Sequence, residues 1–242
     1  MEATTTKCVG THDGTFHADE VLGCAMLTKY TAEFKNAKII RTRDEEILNK
    51  LDIIIDVGKK FDKATNRLDH HQREFNDTFD ENHSTRLSSA GLVYKYFGKE
   101  IVGNLVKHYV DKYKLDVVAD EATIDVVYYR LYDSFIEGID GADNGVSRYP
   151  ADIKPKYADH TSIGSRIARL NPSWVEKDIK PDDRFREAME IMDEELNWQV
   201  KGIVVNWLPG KTHVEKAFAN RFKVHESGEI LFFETSCAWK DH

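Results

Sequence analysis

The chain has 242 residues, of which 41% are apolar, and carries a formal net charge of −8 with a pI of about 5.7. That is enough for one large domain or two small ones with a sizeable core, and the acidic balance excludes a global basic field that would draw the whole protein to nucleic acid or anionic membrane. No apolar run approaches bilayer-spanning length, and Cys8, Cys24 and Cys237 have no metal-ligand spacing and leave an odd thiol, so they read as reduced.

Met1–Lys7 is short and polar, with neither a signal core nor an Arg-rich leader, so a cytoplasmic or nuclear location is expected. Lys7–His12 reads as a first strand, followed through Gly14 by a helix from about Ala18 to Tyr30, with Val21, Leu22, Ala25 and Met26 on its apolar face. Asp19 falls in that helix's first turn, where the dipole favours a carboxylate. Ala37–Arg43 reads as a second strand, Asp44–Lys50 as a helical turn or two, and Asp52–Gly58 as a third strand. Its triple isoleucine suits a strand buried on both faces of a parallel sheet. Arg67–Asp69 is a short fourth strand. Gln72–Arg86 lacks periodicity and reads as a loop, with His83 solvated.

Leu87–Tyr94 opens a helix, with Ser88 or Ser89 as its N-cap; the amides of such a start can also hold phosphate. Ile101–Val110 and Glu121–Ile139 carry helical periodicity, the second ending at Gly138 before the acids Asp140 and Asp143 in a Gly-rich turn. The aromatics Tyr128, Tyr129, Tyr132 and Phe135 are expected in the core rather than on a base-stacking surface. Ser162–Leu170 is a short helix whose Arg166 and Arg169 share a face that can grip phosphate or simply be solvated. Asp182–Asn197 reads as a long amphipathic helix, Val214–Phe222 as helical, and Lys223–Glu234 as a β-hairpin around Ser227-Gly228. Alternation of strands and helices implies an α/β fold with a mostly parallel sheet flanked by helices. Residues 1–150 are expected to form the α/β domain, 151–222 a helical extension, and 223–242 the start of an incomplete C-terminal domain.

Function enters through Asp69-His70-His71. An acid and two neighbouring imidazoles can ligate divalent metal, although in isolation such a pair is more often solvated. Three further segments strengthen the reading. Residues 12–20 hold two histidines and three acids, the isoleucine run ends on Asp56, and Asp140 and Asp143 close a helical stretch. His12, Asp56 and Asp69-His70-His71 all lie at strand carboxyl ends, where ligands bind in open parallel sheets.

In order along the chain, Thr11-His12-Asp13-Gly14-Thr15-Phe16-His17, Asp56-Val57-Gly58, Asp69-His70-His71-Gln72, Leu87-Ser88-Ser89-Ala90-Gly91, Asp143-Asn144-Gly145 and Ala168-Arg169-Leu170-Asn171-Pro172 resemble the melanocyte-proliferating-gene family of metal-dependent hydrolases, within the DHH phosphoesterase superfamily. The resemblance implies that His12, His17, Asp19, Asp56, His70 and Asp143 hold two divalent ions, with Asp56 bridging. Manganese is the expected metal, with magnesium or zinc as substitutes. It also implies that Asp69 orients His70 and that His71 faces the phosphate, with Asp13 and Asp140 left open as further ligands. Ser88, Ser89, Arg166 and Arg169 are candidates for substrate phosphate.

The implied activity is hydrolysis of RNA or single-stranded DNA from the 3′ end by a two-metal activated water. A pyrophosphatase or small phosphoester hydrolase and a non-catalytic metal-binding protein are the alternatives. A mitochondrial pool would fit the resemblance, although no transit peptide is visible. Members of the family continue into a domain with a Gly-Gly-His motif, which this chain lacks, so the expectation is an intact metal centre with weak oligonucleotide binding and poor turnover.

Overall fold

The computed structural model describes residues 6–150 and 152–242. Five strands form one sheet: β1 (Cys8–Thr11), β2 (Lys38–Arg41), β3 (Ile53–Ile55), β4 (Phe61–Asp62) and β5 (Arg67–Leu68). Their order is β2-β1-β3-β5-β4, with every pairing parallel except β4 against β5. This is the α/β architecture the alternating pattern predicts. β4 is the strand the sequence does not announce. Two residues show no alternation, and Asn66 at φ +52 turns the chain back into β5.

Ile53, Ile54 and Ile55 are all buried, as a strand covered on both faces requires. Helix α1 (Ala18–Tyr30) is buried from Asp19 to Thr28 all round rather than along one stripe. Gly23 makes this possible, since a Cβ there would lie 2.8 Å from Ile55 and 3.5 Å from Val93. Helix α2 (Glu45–Leu48) starts on Asp44, whose side chain accepts from the amides of Glu46 and Ile47.

The two helical readings at Leu87–Tyr94 and Ile101–Val110 are one helix, α3 (Ser89–Tyr113). Helix α4 (Glu121–Leu131) and α5 (Glu137–Asp143) occupy the next periodic stretch, with a π-helical turn at Tyr132–Ile136. Helix α5 does not stop at Gly138. It runs to Asp143 and closes at Gly145, φ +68, so both acids expected in a turn are helical. Helix α6 (Ile163–Ala168) is capped by Ser162, and α7 (Pro181–Lys201) is the long amphipathic helix. A π-helical segment at Gly202–Trp207, then α8 (Leu208–Ala219) and α9 (Arg221–Val224), follow in chain order.

The hairpin expected at 223–234 is absent. Lys223 and Val224 end α9, His225–Gly228 is a turn, and no strand follows. A two-stranded hairpin is marginal unless it packs on a sheet or helix, and Ile230, Leu231 and Phe232 here are exposed.

The chain divides into two compact units, Met1–Ile101 with Tyr132–Leu196, and Val102–Leu131 with Asn197–His242. The sheet and every candidate site residue belong to the first. In the second, Arg130 stacks over Trp207 at 4.1 Å and the Tyr109 hydroxyl donates to Asn197. No described helix is long and apolar enough to cross a membrane.

Candidate metal centre

From β1 the chain goes to β2 on one side and later to β3 on the other, so the topological switch point lies between β1 and β3. The residues that follow these strands are His12 and Asp56, and they meet there. His12 Nε2 lies 3.1 Å from Asp56 Oδ2 and 3.2 Å from Glu20 Oε1. His12 Nδ1 lies 3.0 Å from the Asp13 carbonyl. The Asp13 carbonyl can only accept, so Nδ1 carries a proton and Nε2 is the nitrogen that faces the carboxylates, donating to them while protonated and able to ligate an ion once that proton is lost. Asp56 sits in the left-handed backbone region at φ +59, which costs a non-glycine residue about 1–2 kcal/mol and marks functional sites.

The other oxygen of Asp56 serves the opposite side. Oδ1 lies 3.2 Å from His70 Nε2, 3.6 Å from His71 Nδ1, and accepts from the Ser89 hydroxyl at 3.1 Å. His70 Nε2 is also 3.3 Å from Asp143 Oδ2 and 3.9 Å from Asp19 Oδ2. Donor atoms that lie close enough to share an ion form three groups: His12, His17, Glu20 and Asp56; Asp56, His70 and His71; and His17, Asp19 and Asp143. All six sequence-derived candidate ligands fall within them, and Asp56 is common to the first two.

The electrostatics are those of a cation site. Burial drives Asp19 well above the usual carboxylate range, reinforced by the charges of Asp56, Glu20 and Asp143. Burial also opposes ionisation of Asp56, but hydrogen bonds from His12 and His70 prevail and hold it below that range. His12 is pulled down by burial, yet its contacts to Asp56, Glu20 and the Asp13 carbonyl push it up to about 10. Asp19 Oδ1 and His70 Nδ1 are buried with no hydrogen-bond partner among the described residues. Converging carboxylates, imidazole nitrogens and orphaned donor atoms fit divalent ions of the manganese, magnesium or zinc type.

Asp69 pairs with a different imidazole from the one expected. Its Oδ1 lies 2.8 Å from His71 Nδ1 and accepts the His71 amide, while Oδ2 accepts the Lys59 amide. The Asp69 carboxylate turns back on the chain two residues on, holding both the amide and the ring of His71, while His70 Nε2 faces Asp56 and Asp143. His71 is raised by its hydrogen bond to Asp69, and its side chain is 56% exposed.

Asp13 and Asp140 lie off the cluster. Asp13 is exposed and paired with Arg43 at 3.3 Å. Asp140 is fully buried, and its carboxylate accepts from the Ser88 amide and hydroxyl, the Gly91 amide and the Tyr132 hydroxyl. It caps α3 from 52 residues away. Burial lifts its pKa to about 7 against those donors, and a Cβ on Gly91 would collide with it. Ser88 is thereby engaged. Ser89 is committed to the cluster, its hydroxyl on Asp56 and its amide on Asp19. Arg166 and Arg169 are exposed at α6, the latter donating to the His160 carbonyl.

Glu20 is the cluster residue the ligand assignment omits. Its signal is its position three residues after His17, whose amide it accepts at 2.9 Å in the manner of a capping box. Asn171 is a second omission. Its side-chain amide pairs with both backbone groups of Phe16, at 2.9 and 2.8 Å, and so holds the loop that carries His17. His83, expected in solvent, is held between Asp80 and Asp133 at 2.7 and 2.9 Å.

The family model MYG1_exonuc, uncharacterised protein family UPF0160, matches residues 8–242. The MYG1 protein of Dictyostelium discoideum is 42% identical over 234 residues, which cover 96% of this chain and 68% of that protein. Proteins called MYG1 exonuclease are 40% identical in Mus musculus, over 97% of this chain and 60% of theirs, and 39% identical in Homo sapiens, over 97% and 61%. This chain thus spans about 60% of the length of those mammalian relatives. No solved structure matches it.

Proposed function

The chain belongs to the MYG1 family (UPF0160), and from that premise we propose that it is a metal-dependent phosphodiester hydrolase of the DHH phosphoesterase type, a 3′-to-5′ exonuclease on RNA or single-stranded DNA. The names of its mammalian relatives support the reaction class. The observation that carries the reading is Asp56, whose two oxygens face two separate sets of histidines and acids.

His12, His17, Asp19, Glu20, Asp56, His70 and Asp143 would hold two divalent ions, with Asp56 between them. Bound there, such ions supply Lewis-acid polarisation of a phosphoryl oxygen and a water acidified toward neutral pH. The chain's own residues do the positioning. Asp69 fixes the His71 ring, whose exposed face is placed to hydrogen-bond a substrate phosphoryl oxygen. Ser89 donates to Asp56 and Asp19 and sets the directions of their remaining lone pairs. No side-chain nucleophile is required.

The test compares the unaltered chain with His70→Ala and Asp69→Asn on labelled RNA, labelled single-stranded DNA and pyrophosphate in manganese buffer, with metal content measured in parallel. Manganese-dependent shortening from the 3′ end is expected, with loss of metal and cleavage in His70→Ala. Asp69→Asn should retain metal and lose rate. The net charge of −8 favours small anions over long polyanions, so pyrophosphate release faster than oligonucleotide cleavage would replace this reading with the pyrophosphatase. Chelation should leave the circular dichroism of the fold intact, since the sheet has its own buried core. Collapse on chelation would instead mark a structural metal site.

A further inference from the structure

Residues 146–180 carry seven Lys or Arg against four Asp or Glu, a net of +3 in a chain whose total is −8. Arg148, Lys154, Lys156, Arg166, Lys177 and Lys180 are exposed, and none has a carboxylate within 4 Å among the described residues. The contrast with the start of α7 is direct, where Arg184 and Arg186 are each paired with an acid three residues away. Three rings are interleaved with these cations. Tyr149 is 52% exposed, Tyr157 78% and Trp174 89%. An exposed tryptophan contributes little to its own chain's core, and cations outside any ion pair keep their charge available to a polyanion.

The stretch is tied beside the metal cluster at two points. Just before it Asn144, next to Asp143, donates to the carbonyls of Arg86 and Asp140. Within it Asn171 grips Phe16, next to His17. Between these ties the described residues comprise α6, whose Ile167 is buried, and otherwise exposed or half-buried, largely irregular chain.

We propose that residues 146–150 and 152–180 form the surface along which a single-stranded polynucleotide lies, with Tyr149, Tyr157 and Trp174 stacking on bases and the interleaved cations meeting phosphates. The inference rests on the nuclease reading and extends it to the track that leads the strand to the cluster. Aromatic platforms with cations along a backbone are how single strands are held without sequence preference, and charge complementarity selects a polyanion over an apolar partner.

The experiment measures anisotropy of a labelled 12-nucleotide oligo(U) with the full chain in chelator, so that binding is read without cleavage. Removing Tyr157 and Trp174 together, as alanines, should weaken binding about ten-fold or more per ring. Lys154→Gln with Lys156→Gln should reduce the slope of log affinity against log salt by about 1.4, since each single-strand phosphate contact contributes about 0.7. Unchanged melting of these surface variants shows that they are folded. Undiminished binding by both variants, with manganese-dependent cleavage intact, overturns the surface and leaves the nuclease reading standing. If the unaltered chain neither binds nor cleaves, both fall together. Equal affinity for polyglutamate would overturn the assignment of the patch to nucleic acid.

Discussion

Asp140 offers a sharp test of how the cluster is supported. Its carboxylate takes four donors, and the amides of Ser88 and Gly91 among them open a helix and have no intrahelical partner. Asp140→Ala leaves these amides buried and unmet at about 1–3 kcal/mol each. For the two amides together, which are the cap that is lost, the cost is about 2–6 kcal/mol. That is a large share of the ~5–15 kcal/mol typical of a folded domain.

Asp140→Asn should behave quite differently. Its oxygen can serve Ser88 and Gly91 while its amide donates to a reversed Tyr132 hydroxyl, so a loss of no more than about 1 kcal/mol is expected. The two also differ in pH dependence. Burial raises the folded pKa to about 7, so between the ordinary carboxylate value and that point the folded state holds a proton that the unfolded chain has released. This group's contribution is therefore most favourable at low pH and declines as pH rises through about 7. Asp140→Asn should remove that decline. Urea unfolding of the three proteins at pH 5 and pH 8 reads both effects. Equal destabilisation by Ala and Asn, or an Ala variant within about 1 kcal/mol of the parent, would refute the capping argument. Gly91→Ala is an independent probe, because its Cβ enters the space of the same carboxylate.

Asn171→Ala should weaken manganese binding about ten-fold, in line with other residues that orient metal ligands, while Asn171→Asp keeps the acceptor for the Phe16 amide and loses less; calorimetric titration distinguishes the two. His83 is lowered by burial but raised overall by Asp80 and Asp133. Its contribution should be complete below the ordinary histidine pKa and lost as pH rises through the raised one. Protection factors in residues 72–88, which divide out the intrinsic pH dependence of amide exchange, should fall over that range in the parent and be low throughout in His83→Gln. A pH-independent parent would contradict the double ion pair.

The four parallel strands and their polar ends were legible in the sequence because they depend on local rules, whereas β4 was not. Ile53–Ile55 had to be a buried parallel strand, and His12, Asp56 and Asp69 had to follow strand ends. The family resemblance supplied the six candidate ligands, and the fold places each of them in one of three donor groups that share Asp56 or His17. The choice between neighbouring acids lay beyond local reading. Gly138 and Gly141 each disfavour a helix by about 1 kcal/mol, so the chain looked broken before Asp140. Packing of α5 against α1 keeps it helical, which buries Asp140 under the start of α3 and leaves Asp143 at the cluster. The same holds for Asp69, whose carboxylate holds His71 rather than His70, and for Asn171, whose partner is 155 residues away. Residues 223–234 have the composition of a hairpin, but strands need a surface to pair or pack on, and none is supplied there. Sequence periodicity sets which face of an element is apolar; which polar groups then share the buried space is set only when distant segments compete for it.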